Sequence, residues 1–331
     1  MKGQATGRVS KGKDVRAVSF SHYSVLLREC IEGLHIRPNG VYIDGTAGGG
    51  GHSAGIAACL TTGTLLALDR DPDAVEAASE RLVDFPQARV IRANFADMAA
   101  VLHREGFERA DGVLLDLGVS SHQLDTAERG FSYQTDAPLD MRMSREGRSA
   151  AEIVANYPAS ELQRIFRVYG EERYAKQIAS NIVRTRQNTP IETTGQLAEL
   201  IKSSIPAAAR REKNPCKRVF QAIRIEVNGE LDCLREGMLK AFELLAPGGR
   251  LVVITFHSLE DRMVKHQFRE WCTGCTCPPD FPVCVCNKKP RAALCGKQPI
   301  LPSLEELAEN KRSQSAKLRI IEKLPEELIA P

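Results

Sequence analysis

Residues 41–52 read VYIDGTAGGGGH, an apolar run that ends in aspartate and is followed closely by four consecutive glycines. Glycine loses more conformational freedom on folding than any other residue, so such a run implies a backbone that must turn tightly or approach something closely. The surroundings of this run repeat a pattern. Short Val-, Ile- and Leu-rich runs at 41–43, 65–68, 90–91 and 113–115 alternate with stretches of helical composition, DPDAVEAASERL and FADMAAVLHRE. Strands buried on both faces and separated by helices predict a parallel sheet with crossover helices, an α/β fold. Ligands of such sheets bind beyond the carboxyl ends of the strands. Here those ends carry Asp44, Asp69 and Asp116, with Asn94 and Phe95 at a fourth.

The glycines then form the first strand-to-helix turn, open to a ligand. A turn shaped only for packing is the bland alternative. Gly49-x-Gly51-x-x-Ala54 fits a relaxed dinucleotide fingerprint, with Asp69 near the spacing of an acid on the ribose, so an NAD enzyme is a rival reading. Two features favour S-adenosylmethionine. Asp44 directly precedes the loop, where it would repel a diphosphate but pair with an ammonium group or a bound water. The glycine run is also wider than a minimal phosphate turn. No GxxxxGKS or GxxxxGKT occurs, which leaves an ATP-type phosphate loop without support.

The strand–helix rhythm stops after Ser121. Residues 130–215 carry no strong buried-strand signal and read as an inserted, mainly helical subdomain. One or two helices are expected over 159–186 with Gly170 as a break, and another is expected after Thr193 or Thr194, ending near Pro206. The sheet domain is expected to span 21–129 and 216–331, after a frayed tail at 1–20. Val219, Ile223, Val227, Leu231, Leu234, Met238, Phe242 and Leu245 mark one face of a long helix, followed by the strand RLVVITFH and a weak late strand at 316–324.

Charge bounds the partners loosely. The 45 basic and 42 acidic residues leave +3, too mild to establish a nucleic-acid partner but compatible with a local basic face. No run of 18 apolar residues is present and the first twenty residues lack an apolar signal core, so a cytoplasmic protein without a membrane span is expected. Cys30, Cys59, Cys216 and Cys233 stand alone and read as small buried hydrophobes. The other six cysteines fall in a loop at 272–295, WCTGCTCPPDFPVCVCNKKPRAALC. There Cys272, Cys275, Cys284 and Cys286 are candidate ligands of a structural zinc, set against reduced surface thiols or a redox-sensitive loop.

Around strand four, VLLDLGVSSHQ places Asp116 where it can orient a ligand or contact a substrate, with Ser120, Ser121 and Gln123 at the same mouth. Capping of the next segment is the competing role for the serines. Phe131 and Tyr133 are candidate base-stacking aromatics or core residues. Arg142, Arg145 and Arg148, then Arg210, Arg211, Lys213, Lys217 and Arg218, are candidate phosphate contacts or solvated surface. Lys288, Lys289, Arg291, Lys297, Lys311, Arg312 and Lys317 form a third basic stretch. His257, at the end of the last main strand, faces either substrate or a structural hydrogen bond.

Several long words together resemble the bacterial ribosomal small-subunit RNA methyltransferase H family. They are HYSVLLREC at 22–30, YIDGTAGGGGHS at 42–53, LALDRDPDA at 66–74 and DGVLLDLGVSSHQLDTAERGFSYQTDAPLDMRM at 111–143. They continue with YGEERYAKQIA at 169–179, NPCKRVFQAIRIEVNGEL at 214–231 and LAPGGRLVVITFHSLEDRMVK at 245–265. The resemblance implies a class I methyltransferase sheet of Rossmann-like form with an inserted helical subdomain for RNA recognition. It also implies methyl transfer from S-adenosylmethionine to N4 of a 2′-O-methylated cytidine in the decoding region of 16S rRNA, within the small ribosomal subunit. The family's cofactor residues carry over to Gly50, Gly51, His52, Asp69, Phe95, Asp116 and Gln123. His122 departs from the family's proline at that place. Many amino-methylating enzymes carry Asn or Asp followed by Pro-Pro and an aromatic after strand four; here Asp116 is followed by Leu117, Gly118 and Val119. The proton acceptor is therefore open, as is a non-enzymatic RNA-binding role.

Overall fold

The apolar runs form a seven-stranded sheet. A computed structural model describes residues 24–207, 215–278, 285–286 and 288–325. Its strands are β1 (Val41–Asp44), β2 (Thr64–Asp69), β3 (Ala88–Arg92), β4 (Ala110–Asp116), β5 (Leu245–Thr255), β6 (Ala292–Leu294) and β7 (Lys317–Lys323), in the order β3-β2-β1-β4-β5-β7-β6. β1 to β5 are parallel, whereas β7 runs antiparallel to both β5 and β6. A doubly wound dinucleotide sheet runs 3-2-1-4-5-6. The antiparallel strand wedged beside β5 departs from that order and gives the methyltransferase form of the Rossmann-like sheet.

Burial follows position in the sheet. Leu65 to Leu68 of β2 and Val113 to Leu115 of β4 are covered on both faces. Residues 90–91 behave differently, because β3 is an edge strand with none of its residues fully buried. Two cores flank the sheet. One packs Leu66, Val113 and Val253 under the Glu230–Leu244 and Ser258–Cys272 helices; the other packs Leu65, Leu114 and Val252 under the Leu27–Leu34 and Gly51–Ala58 helices.

A third core is built mainly from helices. It joins Ile153, Leu162, Phe166, Ile178, Ile182, Leu197 and Ile201, from the four helices between Ala150 and Ser203, to Cys216, Val219, Phe220 and Ile223. Gly170 does separate two helices, Ala159–Val168 and Ala175–Arg186, and Thr193 caps the next one through a box with Gln196. The single long helix read from the 219–245 stripe is two helices. Pro215–Asn228 ends at Gly229, whose φ of 59° breaks the helix before Glu230–Leu244 begins. The first of them packs into the helical core, although the sequence reading had placed it with the sheet. Phe131 belongs to this core, and Tyr133 meets Phe220 edge-on at 5.5 Å, so both aromatics are packing residues.

Candidate active site

β1 and β4 are neighbours whose connections leave in opposite directions, and a crevice opens at that switch point. The glycine run lines it. Gly48 and Gly50 adopt φ of 51° and 74°, and Gly50 starts the Gly51–Ala58 helix from the left-handed region. A β-carbon on Gly50 would also press on the backbone of Ala78 at 3.2 Å, so the turn needs glycine for both conformation and space. A cavity of about 460 Å³ runs from this loop past Asp69, Phe95 and Asp116 to His257, and on to Lys217, Gln221 and Arg224 of the helical layer. That volume suits a small-molecule site. It joins the sheet end to the inserted helices in one space.

The floor is acidic. Asp69 accepts the Gly48 N–H at 2.8 Å and the Asp71 N–H at 2.9 Å. Burial still pushes its carboxyl up to about 6, against those hydrogen bonds and with the nearby Asp71 and Asp44 charges adding to the rise. Asp116 is likewise pushed up to about 6 by burial, with His52 opposing and Asp44 and Glu260 assisting. Its Oδ2 lies 3.5 Å from His52 Nδ1, while its Oδ1 is buried without a protein partner. A buried carboxylate oxygen without a partner is rare in a folded protein, and it marks Asp116, which lines the cavity, as a group held for a ligand. The field of these acids repels a diphosphate and favours a cationic ligand.

Asp44, read from the sequence as a partner for an ammonium group or a bound water, does not line the cavity. Its Oδ1 accepts the Thr46 N–H at 3.1 Å and its Oδ2 the Ser53 hydroxyl at 2.6 Å, in full burial. It shapes the loop and contributes charge from beneath it.

The model of the MraW methylase family matches residues 19–324 of this chain. The chain belongs to the MraW methylase family. It is 53% identical over 311 residues to ribosomal RNA small subunit methyltransferase H 2 of Agathobacter rectalis, covering 92% of this chain and 99% of that protein. It is 54% identical over 312 residues to ribosomal RNA small subunit methyltransferase H of Carboxydothermus hydrogenoformans, covering 93% and 99%. A third relative, from Pelobacter propionicus, is 53% identical over 310 residues, covering 92% and 99%. Membership of the MraW methylase family makes the chain an S-adenosylmethionine-dependent methyltransferase and removes the NAD reading. Among the described residues no helix is long and apolar enough to cross a membrane.

Seen as a MraW methylase, the chain brings Gly50, Gly51, His52, Asp69, Phe95, Asp116 and Gln123 to one crevice, Gly50 beneath its edge as the turn residue. Two of the side chains are committed within the protein. His52 Nε2 meets the Val25 carbonyl oxygen at 3.0 Å, and Gln123 donates to Asp71 Oδ2 at 2.7 Å while accepting the Ser120 N–H. Ser120 is the reciprocal cap of that box, and Ser120, Ser121 and His257 all line the cavity. His257 also caps its helix through Glu260, whose carboxyl is raised by burial but held low on balance by His257, Arg224 and the Phe256 N–H. His122 sits 3.5 Å from Asp73 Oδ2.

Among the proposed phosphate contacts, Arg142 pairs with Asp140 through two hydrogen bonds of 3.0 and 2.7 Å, and Arg148 donates to Tyr157. Arg218 donates to the Glu171 carbonyl oxygen and does not line the cavity. Arg210, Arg211 and Lys213 lie outside the described residues. Lys217, Lys311 and Arg312 do reach the rim. Gln221, Arg224 and Glu230 were missed. The signal was present, since Lys217, Gln221 and Arg224 recur at the spacing of one helix face, opposite the apolar stripe. Arg224 holds Glu230 through bonds of 2.8 and 2.9 Å.

The cysteines divide differently from the sequence reading. Cys59 is exposed and Cys233 half-buried; Cys59 follows the outer end of its helix, where its thiol donates to the Gly55 carbonyl oxygen. Cys272 packs against the sheet core, where burial pushes its thiol up. Cys284 lies outside the described residues. Cys275 and Cys286 do meet, and the third member beside them is Cys277.

Proposed function

We propose that this methyltransferase transfers a methyl group from S-adenosylmethionine to N4 of a 2′-O-methylated cytidine in the decoding region of 16S rRNA, within the small ribosomal subunit. Methylation of ribosomal RNA is supported by the names of relatives that align with 92–93% of the chain. The observation that carries the finer reading is Asp116, a cavity-lining carboxylate that has one oxygen buried without a protein partner.

When bound, the cofactor supplies an electrophilic methyl carried on a sulfonium. The glycine turn, Asp69 and Phe95 would hold it, and the anionic floor suits its charge. A cytosine exocyclic amine is a poor nucleophile because its lone pair is delocalised into the ring. The Asp116 carboxylate, which lines the cavity, counters this by accepting one amine N–H and fixing the direction of attack. As the N–C bond forms and the methyl–sulfur bond breaks, with S-adenosylhomocysteine as the leaving group, the same carboxylate is placed to take the proton that nitrogen releases. His52 Nδ1 stands 3.5 Å from the other oxygen. Lys217, Lys311 and Arg312 at the rim contact phosphates of an RNA whose target base is unpaired or flipped into the cavity.

The test combines isotopically labelled S-adenosylmethionine with small subunits that lack the modification, followed by nucleoside mass analysis. We expect label on cytidine N4 and a loss of about 10²–10³-fold in Asp116→Asn. Label on a ring carbon, or on a different RNA, would overturn the proposal.

A further inference from the structure

Beyond the methyl-transfer site, three thiols converge after the C-terminal end of the Ser258–Cys272 helix. The Ser258–Cys272 helix starts at the cavity and runs about 22 Å to the opposite end. After this helix the Arg291 N–H donates to the Trp271 carbonyl oxygen at 2.7 Å, which brings the two ends of the intervening segment together. Within that loop the sulfurs of Cys275, Cys277 and Cys286 lie within 4.8 Å of one another. Cys275 Sγ and Cys286 Sγ are 3.6 Å apart. A disulfide requires about 2.05 Å. Two thiolates on one tetrahedral zinc, each at about 2.3 Å, are separated by about 3.8 Å. The observed spacing matches the edge of a metal tetrahedron and not a covalent bond. The Cys277 N–H also points at Cys275 Sγ at 3.4 Å, the backbone contact that stabilises a metal-bound thiolate.

We propose that Cys275, Cys277 and Cys286 form a structural site for a thiophilic divalent cation, zinc foremost, that staples this loop. Three soft anionic donors select zinc over magnesium or calcium. The site lies a helix length from the cavity, so the ion clamps the connection between the Ser258–Cys272 helix and β6 and takes no part in methyl transfer. Closing this loop with a metal raises the stability of this corner of the fold.

The experiment measures zinc in the purified full-length chain by plasma mass spectrometry, before and after chelator treatment. It is repeated with Cys275→Ser, Cys277→Ser and Cys286→Ser, and with Cys59→Ser as an exposed control. About one zinc per chain is expected in the parent and the control, and a large loss in each of the three variants. Cobalt substitution of the parent, which needs no mutation, should give a sulfur-to-cobalt charge-transfer band and tetrahedral visible absorption. Chelation should lower Tm while S-adenosylmethionine affinity stays unchanged. Zinc-free protein after reduction and zinc addition overturns the site, as does zinc retained equally by the three variants. A mass deficit of two hydrogens with a bridged Cys275–Cys286 peptide would show a redox pair instead.

Discussion

At the scale of single residues, Asp116 carries two opposed consequences. Its folded pKa of about 6 stands above the ordinary 3.8. The folded state therefore holds more protons than the unfolded state across that window, and stability falls as pH rises through it. The deficit persists at higher pH. Asp116→Asn removes it, and after discounting for partial solvent access it should stabilise the ligand-free protein by about 1–2 kcal/mol at neutral pH. Thermal melts should show a higher Tm than the parent above pH 7 and no advantage below pH 4; an equal gain at both would remove burial of the charge as the cause. Catalysis should move the other way. The acceptor is the ionised form, so single-turnover rates should fall as pH drops through about 6, and a flat profile would exclude Asp116 as the titrating acceptor. The position of Asp116 was legible because an acid closing a buried strand is a local pattern. The commitment of Gln123 to Asp71 was not, since the partners are 52 residues apart in the chain and meet only in the fold.

At the scale of elements, the strands and their crossover helices followed from apolar runs of period and length that few other arrangements satisfy. The helix break at Gly229 did not, because the apolar stripe continues through it in phase and only the backbone's left-handed turn reveals it. One helix also shapes the cavity from behind. Gly237 lies against the ring of Phe95, and a β-carbon there would sit 2.4 Å from Phe95 Cδ2. Alanine in a helix interior is otherwise favoured over glycine by about 1 kcal/mol. Gly237→Ala should therefore leave Tm nearly unchanged while pushing Phe95 into the cavity. Calorimetry should record a Kd for S-adenosylmethionine raised about 10-fold, equivalent to about 1.4 kcal/mol. An unaltered Kd would mean that Phe95 is not a wall of the cofactor site.

At the scale of the whole molecule, the sheet and the helical layer are joined by buried polar side chains, which apolar patterning does not register. Asn228, 5% exposed, donates to the Met141 carbonyl oxygen and accepts the Met143 N–H and an Arg70 N–H. Beside it Arg129, 6% exposed, bridges Asp71 at 2.9 Å and Asp73 at 2.8 Å and donates to the carbonyl oxygens of Arg142 and Met143. One guanidinium thus ties the turn after β2 to the loop that enters the helical layer, and Asp71 passes the restraint to Gln123 at the cavity. Removing it leaves Asp71 charged and buried with a pair partner gone, a situation that costs about 3–5 kcal/mol. Arg129→Met should lower the urea midpoint accordingly, whereas Arg28→Met, which breaks an exposed pair on the outer face of the Leu27–Leu34 helix, should leave it in place. Adding Asp71→Asn to Arg129→Met should recover part of the loss, because the orphaned charge is then gone. A double variant no more stable than the single one would show that the contacts of Arg129 to the Arg142 and Met143 carbonyls, rather than its charge, hold the layers together.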